Sequence, residues 1–443
     1  MTEGQVPLQI VKFGLDRGAT DVVAKLIEYD TTMIRFSNNE ITVSKNYREA
    51  VVDIFLMIEK QRADLIIPLA STRALESGVE RLINMAKITP PADVYAPLPE
   101  GPFSYDPSIQ ASPKISTTPD RVVGYVEKAI EEAREMRAKK VAGSLIASKA
   151  RIDLATSGNV SAFREKASLE ISVRAFASDI ASGHFVSIAE NEDDFRPGEA
   201  GRMAGEIANA SLSPAAGEAG RYTALLGPLV FADLVNQVGA LSSAFMVDAG
   251  RSFLIGKKGL GVASDKFTLT DDPTFKGTYG ARAFDDEGVP ARRNVIVEKG
   301  VLRTYLHNST TAKKFDEDTT GNAGLINPHP WNLVVEPGDG TFEELIAEID
   351  DGVYVTNDWY LRYQNYQTGD FSTIPRDGMF RIKHGRIENP IRELRISDNM
   401  LRIFKNIRDL SRGRYWIKWW EVGIPTLTPY SVVEDLNFTK STM

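Results

Sequence analysis

The chain has 443 residues and a hydrophobic fraction of 42%, enough for a sizeable core shared among two or three domains. It contains no cysteine and only four histidines, which excludes disulfides, thiolate nucleophiles, iron–sulfur clusters and any zinc site that uses sulfur. A formal net charge of −8 argues against a main task of gripping nucleic-acid phosphates. No signal peptide and no run of about 20 apolar residues is visible, so the expected location is the cytoplasm.

Gln9 to Asp16 reads as a short amphipathic helix ending at Gly18, a residue suited to a left-handed cap. Val22–Tyr29, Met33–Phe36, Ile41–Lys45, Ala50–Glu59 and Asp64–Leu69 are short apolar or alternating runs, and Ser37-Asn38-Asn39 suits a hairpin, which together predict an antiparallel meander. A helix over Thr72–Met85, with Ser71 as N-cap, closes this unit. Thr89 to Pro119 carries eight of the 22 prolines and reads as an exposed linker or a strap across the surface.

Pro119-Asp120 opens a second helix running to about Lys140. Strands over Val141–Ser157, Val160–Phe176 and His184–Glu190 follow, with Gly158-Asn159 as a turn, and then a Gly/Ala-rich helix around Gly198–Asn209. From Arg221 onwards strands and turns dominate, with helices near Phe231–Leu241, Thr341–Asp350 and Asn399–Leu410. The reading is an α+β protein: N-terminal antiparallel sheet-and-helix units over 1–88 and 119–218, a Pro-rich linker over 89–118, and a large β-rich C-terminal domain over 219–443.

Catalytic signatures are sparse. No nucleophile elbow, Walker A loop, Rossmann fingerprint or His-Glu-x-x-His occurs, and Gly256-Lys257-Lys258-Gly259-Leu260-Gly261 lacks the spacing of a phosphate loop and reads as a hairpin turn. His184, His307, His329 and His384 have no second ligand at metal spacing. The acids Asp193-Asp194, Asp271-Asp272 and Asp285-Asp286-Glu287 read as turns, with a paired acid–base site as the second reading. In Arg392–Lys418 the charges Arg395, Arg402, Lys405, Arg408, Arg412 and Arg414 interleave with Phe404, Tyr415 and Trp416. Because Ile396, Met400, Leu401, Phe404, Ile407 and Leu410 recur at helical spacing, the solvated face of a helix outweighs nucleic-acid binding.

From Leu229 onwards an ordered set of short segments resembles the C-terminal domain of the TldD/PmbA family. The segments are Pro228–Ala232, Ala283–Pro290, Val297–Leu302, Thr320–Gly324, Asn332–Gly338 and Thr368–Phe371, and a looser likeness includes Gly18–Asp21 and Ile34–Ile41. The resemblance implies a cytoplasmic, dimeric protein with an enclosed cavity that works on peptides in a TldD–TldE metalloprotease. The family's catalytic subunit carries His-Glu-x-x-x-His on a helix and a cysteine ligand. Here the corresponding positions are Ala232, Asp233 and Gln237, and cysteine is absent. This is the pattern of the TldE/PmbA branch, so the implied role is a zinc-free subunit, with zinc expected only in a TldD-like partner. A homodimer is the other assembly implied, with an extended peptide as ligand and Arg293, Gly321, Asn322 and Gly324 near the channel. Two other readings stand beside it. One is a stand-alone hydrolase using Asp233 or the Asp285–Glu287 acids; the other is a regulatory or binding module, as the older family label "modulator of DNA gyrase" suggests.

Overall fold

The computed structural model describes residues 5–111 and 114–441. Its N-terminal half is built on one antiparallel sheet of six strands: β1 (Asp21–Ser37), β2 (Glu40–Ile58), β3 (Gln61–Pro68), β4 (Lys140–Thr156), β5 (Val160–Phe176) and β6 (Ser182–Ala189). The order is β3-β2-β1-β4-β5-β6, so the segments before and after the Pro-rich stretch join edge to edge through β1 and β4. Runs that read as separate short strands are continuous here, because Thr31 and Thr32, which interrupt the apolar alternation, lie inside β1 with their hydroxyls bonded to Ser148 and Thr117. The Asn38-Asn39 turn has both residues at positive φ, 52° and 68°. That is the two-residue type I′ geometry whose twist matches the flanking strands.

Helices cover one face of this sheet. Val6–Asp16 and Thr72–Ala86 bury Ile10, Val11, Val79 and Leu82 against Val22, Leu26 and Ile54. Pro119–Glu135 and Pro197–Ala210 pack on β4 and β5 through alanines, and at Gly201 an added Cβ would stand 2.0 Å from the Ala129 carbonyl. Small residues therefore set how closely these two helices approach.

The C-terminal half forms a mixed sheet of 14 strands around the long strand Thr426–Lys440, which pairs with Gly220–Leu226, Leu333–Val335, Leu394–Asn399 and Ile407–Ile417. The α+β expectation holds. One helix does not: of Asn399–Leu410 only Met400–Lys405 is helical, and Ile407–Ile417 is a strand. Ile396, Met400, Phe404, Ile407 and Leu410 are nevertheless all buried. The apolar positions were right and the period changed where pairing with Val433 begins. Three charges of this stretch are tied within the fold: Arg402 to Asp398 and Asp435, Arg412 to the Asp339 carbonyl and Arg414 to that of Val335. The Gly256–Gly261 segment is a succession of turns, with Gly256 and Gly259 at φ 69° and 81°.

The Pro-rich stretch is a strap that ties the two halves. Leu98 enters a core with Val23, Phe55 and Phe284, the Tyr105 hydroxyl donates to the Gly288 carbonyl at 2.7 Å, and Tyr95 bonds Asp21.

Candidate functional site

Alternation along β5 puts Leu169, Ile171 and Val173 under the helices and leaves Arg164, Lys166, Ser168, Glu170, Ser172 and Arg174 on the opposite face. That polar face meets the C-terminal half. Glu170 accepts from the Tyr279 hydroxyl at 3.1 Å and from Lys418 Nζ at 2.6 Å, while Arg174 pairs with Asp377 at 2.6 Å. His184 on β6 bonds Ser172 through Nε2 at 2.8 Å and Asn357 through Nδ1 at 2.6 Å. Burial between these partners and Trp419 lowers its pKa to about 4, so it is neutral.

The Asp285-Asp286-Glu287 turn sits at the same seam. Asp285 accepts three backbone N–H groups, from Glu287, Val289 and Ala323, at 2.9–3.0 Å. Asp286 pairs with Lys25 of β1 at 2.9 Å and with Arg282 at 3.4 Å. Glu287 bonds the backbone and hydroxyl of Ser309. The turn reading is therefore right and incomplete, since Asp286 also fastens the halves together through Lys25. Lys25 is the partner that sequence reasoning missed; a lysine in the middle of a buried strand was the available signal.

Asn322 is fully buried. Its amide donates to Asp271 Oδ2 at 2.6 Å and to the His329 carbonyl at 3.0 Å, and its oxygen accepts from Asn294 at 3.0 Å. Gly321 has φ 69°, and at Gly324 an added Cβ would lie 2.6 Å from the Asn327 carbonyl. Arg293 is half-exposed, 3.8 Å from Asp272 and bonded to Thr270 at 3.3 Å. The four residues lie in one neighbourhood, linked through Asn294, Thr270 and Asp271.

The helix Pro228–Leu241 enters between the halves, and Ala232, Asp233, Asn236 and Gln237 lie on its first turns. Asn236 holds the loop before Thr426: its amide donates to the Ile424 carbonyl and Thr426, and its oxygen accepts from the Ile424 N–H at 2.9 Å. Asp233, at 1% exposure, accepts from Gln237 at 3.2 Å, and its Oδ2 has no partner. Asp358 accepts from the Thr373 hydroxyl at 2.9 Å, and its Oδ1 has none. Burial raises both acids, Asp233 to about 7; the charge of Glu421 adds to each, and that of Asp233 adds to Asp358. One proton held between the two carboxyls would satisfy both orphaned oxygens.

Beside the Ile424 loop lies a cavity of about 260 Å³ lined by Arg164, Lys166, Tyr279, Arg282, Trp331 and Lys418, among others. Larger cavities, about 520 and 790 Å³, are lined by charges of both signs, and the first shares Lys166 with this one.

The fold is shared with solved structures across nearly the whole chain. TldE from Thermococcus kodakarensis superposes with a TM-score of 0.85 at 20% identity, covering 98% of this chain and 99% of that one. A candidate modulator of a DNA gyrase from Thermotoga maritima gives 0.83 at 22%, covering 97% and 98%. In sequence, a metalloprotease of Methanothermobacter thermautotrophicus is 34% identical over 216 residues, 47% of each chain, and PmbA of Escherichia coli O157:H7 is 29% identical over 196 residues, 42% of this chain and 41% of that one. The matches span about half, or less, of these relatives' length. This architecture, a capped antiparallel sheet facing a large mixed sheet with a helix at the seam, is thus that of the TldE-type proteins. Residues 219–440 match the PmbA/TldA metallopeptidase C-terminal domain, and the chain belongs to the PmbA/TldD family.

The donor set at the helix does not fit a metal of the kind that the family description, metallopeptidase, implies. Ala232 has no donor atom, and the Gln237 amide nitrogen is directed at Asp233. Among the described residues no three His, Cys, Asp or Glu side chains gather in a group able to hold a metal. Likewise, no helix among them is long and apolar enough to cross a membrane.

Proposed function

We propose that this chain is the zinc-free, TldE-like subunit of a cytoplasmic TldD–TldE-type metallopeptidase, supplying dimer surface and peptide channel while a TldD-like partner carries the metal and cuts. The observation that carries this reading is the helix Pro228–Leu241, where Gln237 bonds Asp233 and Ala232 offers no donor atom; the resemblance matches these three positions to the family's metal ligands. An extended peptide is the expected ligand, held by main-chain bonds to a strand edge. Arg293, half-exposed, is the candidate contact, with Gly321, Asn322 and Gly324 shaping the loop beside it. The acidic net charge disfavours a nucleic-acid partner.

The acid pair Asp233–Asp358 favours one competing reading, a hydrolase that works alone through a shared proton. It is the weaker, because at 1% and 0% exposure neither carboxyl meets solvent or substrate. Metal analysis of the purified chain, alone and mixed with a TldD-type subunit, decides between them when digestion of an unfolded peptide is followed in parallel. No metal and no cleavage alone, with cleavage in the mixture, is expected; stoichiometric metal or cleavage by this chain alone overturns the proposal.

A further inference from the structure

The cavity beside the Ile424 loop gathers four cationic side chains from both halves of the molecule: Arg164 and Lys166 from β5, Arg282 from the acid turn and Lys418 from the strand end after Ile417. Their neutralisation is uneven. Lys418 has Glu170 at 2.6 Å, and Arg282 has Asp286 at 3.4 Å, an acid it shares with Lys25. Asp286 and Glu190 act on Arg164, and Glu190 on Lys166, through space without a hydrogen bond. Lys166 instead stands 4.5 Å from the Tyr279 ring centre, and Arg282 lies 3.4 Å from that of Trp331.

Two buried guanidinium nitrogens, Arg164 Nε and Arg282 Nε, have no hydrogen-bond partner, and Arg282 is only 7% exposed. A buried donor left unpaired costs more than its bond would contribute, and unpaired cations held together add repulsion. Both effects are visible in proton affinity. Burial first, then the neighbouring cations, lowers Lys166 to about 7, and burial followed by Arg282 lowers Arg164 to about 9. An anion in the cavity would offset the repulsion among these cations and offer their unpaired donors an acceptor.

We propose that this pocket is an anion site that takes a carboxylate, the terminal or side-chain acid of a peptide, between Arg164, Lys166 and Arg282. The volume of about 260 Å³ is below the roughly 300–1,000 Å³ of pockets that enclose a whole small molecule, which suits one charged group at the end of a longer ligand. Guanidinium forks match the planar, two-oxygen geometry of a carboxylate. Trp331, Pro330 and Pro425 supply apolar wall for the carbon atoms beside it. That the carboxylate arrives on a peptide rests on the proposed function; the charge of the pocket does not.

The test is calorimetric titration and thermal melting of the full chain with an unfolded pentapeptide as free acid, its C-terminally amidated twin, an amidated twin carrying one internal glutamate, and inorganic phosphate. The free acid or the glutamate peptide is expected to bind at least tenfold tighter than the amide and to raise the melting temperature; which of the two does so names the source of the carboxylate. Arg164→Gln and Lys166→Gln should each erase that tenfold difference while raising the melting temperature of the unliganded protein, because they remove repulsion. Equal affinity for acid and amide overturns the proposal, as does binding of phosphate without any peptide acid. So do variants that melt lower and bind unchanged, which would make the cluster structural. The acid–amide comparison needs no variant. Its failure leaves intact the reading tested by cleavage in the mixture, and failure of that cleavage leaves this comparison standing.

Discussion

Asp285 and Glu287 are buried, as are Asp233 and Asp358, yet the two sets differ in their partners. At the acid turn each side chain has donors to accept from: backbone N–H groups for Asp285, Ser309 for Glu287, and two cations for Asp286. Behind the helix Pro228–Leu241 each acid keeps one oxygen orphaned. In the first set Asp285 and Glu287 hold the turn's own half in shape, and Asp286 joins it to the other half through Lys25. The second lies buried beside the helix with no cation among the described residues bonded to either acid, so its orphaned oxygens need a proton. A buried acid by itself thus says little about function; its unsatisfied atoms say more.

The comparison breaks most readily at Asp286. Asp286→Ala leaves Lys25 with Asp53 alone and Arg282 with no carboxylate, and should cost about 3–5 kcal/mol in urea unfolding. A loss below about 1 kcal/mol would mean the turn does not join the halves.

Asp233→Asn sharpens the other side. The folded pKa of Asp233, about 7, lies above the unfolded value of about 3.9. The folded protein therefore holds an extra proton between these limits, and this group's contribution to stability falls as pH rises from about 4 to about 7 and is level above. Asparagine needs no proton, so the stability difference between variant and parent should move in the variant's favour by about 3 kcal/mol from pH 4.5 to pH 8, by melting across pH. His184, neutral in the fold, has the opposite slope, but it is common to both proteins and cancels in the difference. A variant that follows the parent at every pH would refute the shared proton.

Smaller effects test the loop. Gly321→Ala places a Cβ at φ 69° and 2.8 Å from the Pro290 carbonyl, and should cost about 1–2 kcal/mol. Arg293→Ala should stay within about 0.5 kcal/mol in stability and weaken peptide binding; unchanged binding removes Arg293 from the proposed channel.

Much of the local structure was legible beforehand because its causes are local. Alternation along β5 gave Val160–Phe176 with both its ends, Ser71 marks the start of the helix Thr72–Ala86 and accepts from the Ala74 N–H, and the Asn38-Asn39 dipeptide fixed a hairpin whose positive φ values suit asparagine. The absence of cysteine and of a histidine motif was equally plain. The strand Ile407–Ile417 was misread because a short apolar run obeys both periods until a partner strand selects one.

What only the tertiary structure decided is every pairing across long sequence separation. The join of β1 to β4, Lys25 reaching Asp286, the orphaned oxygens of Asp233 and Asp358, and four cations converging on one cavity all depend on which surfaces meet. Sequence by itself determined residue chemistry and local period, because those are carried by neighbours in the chain. Whether a charge is paired or left unpaired is set by residues tens to hundreds of positions away, and only the packed fold brings them within reach.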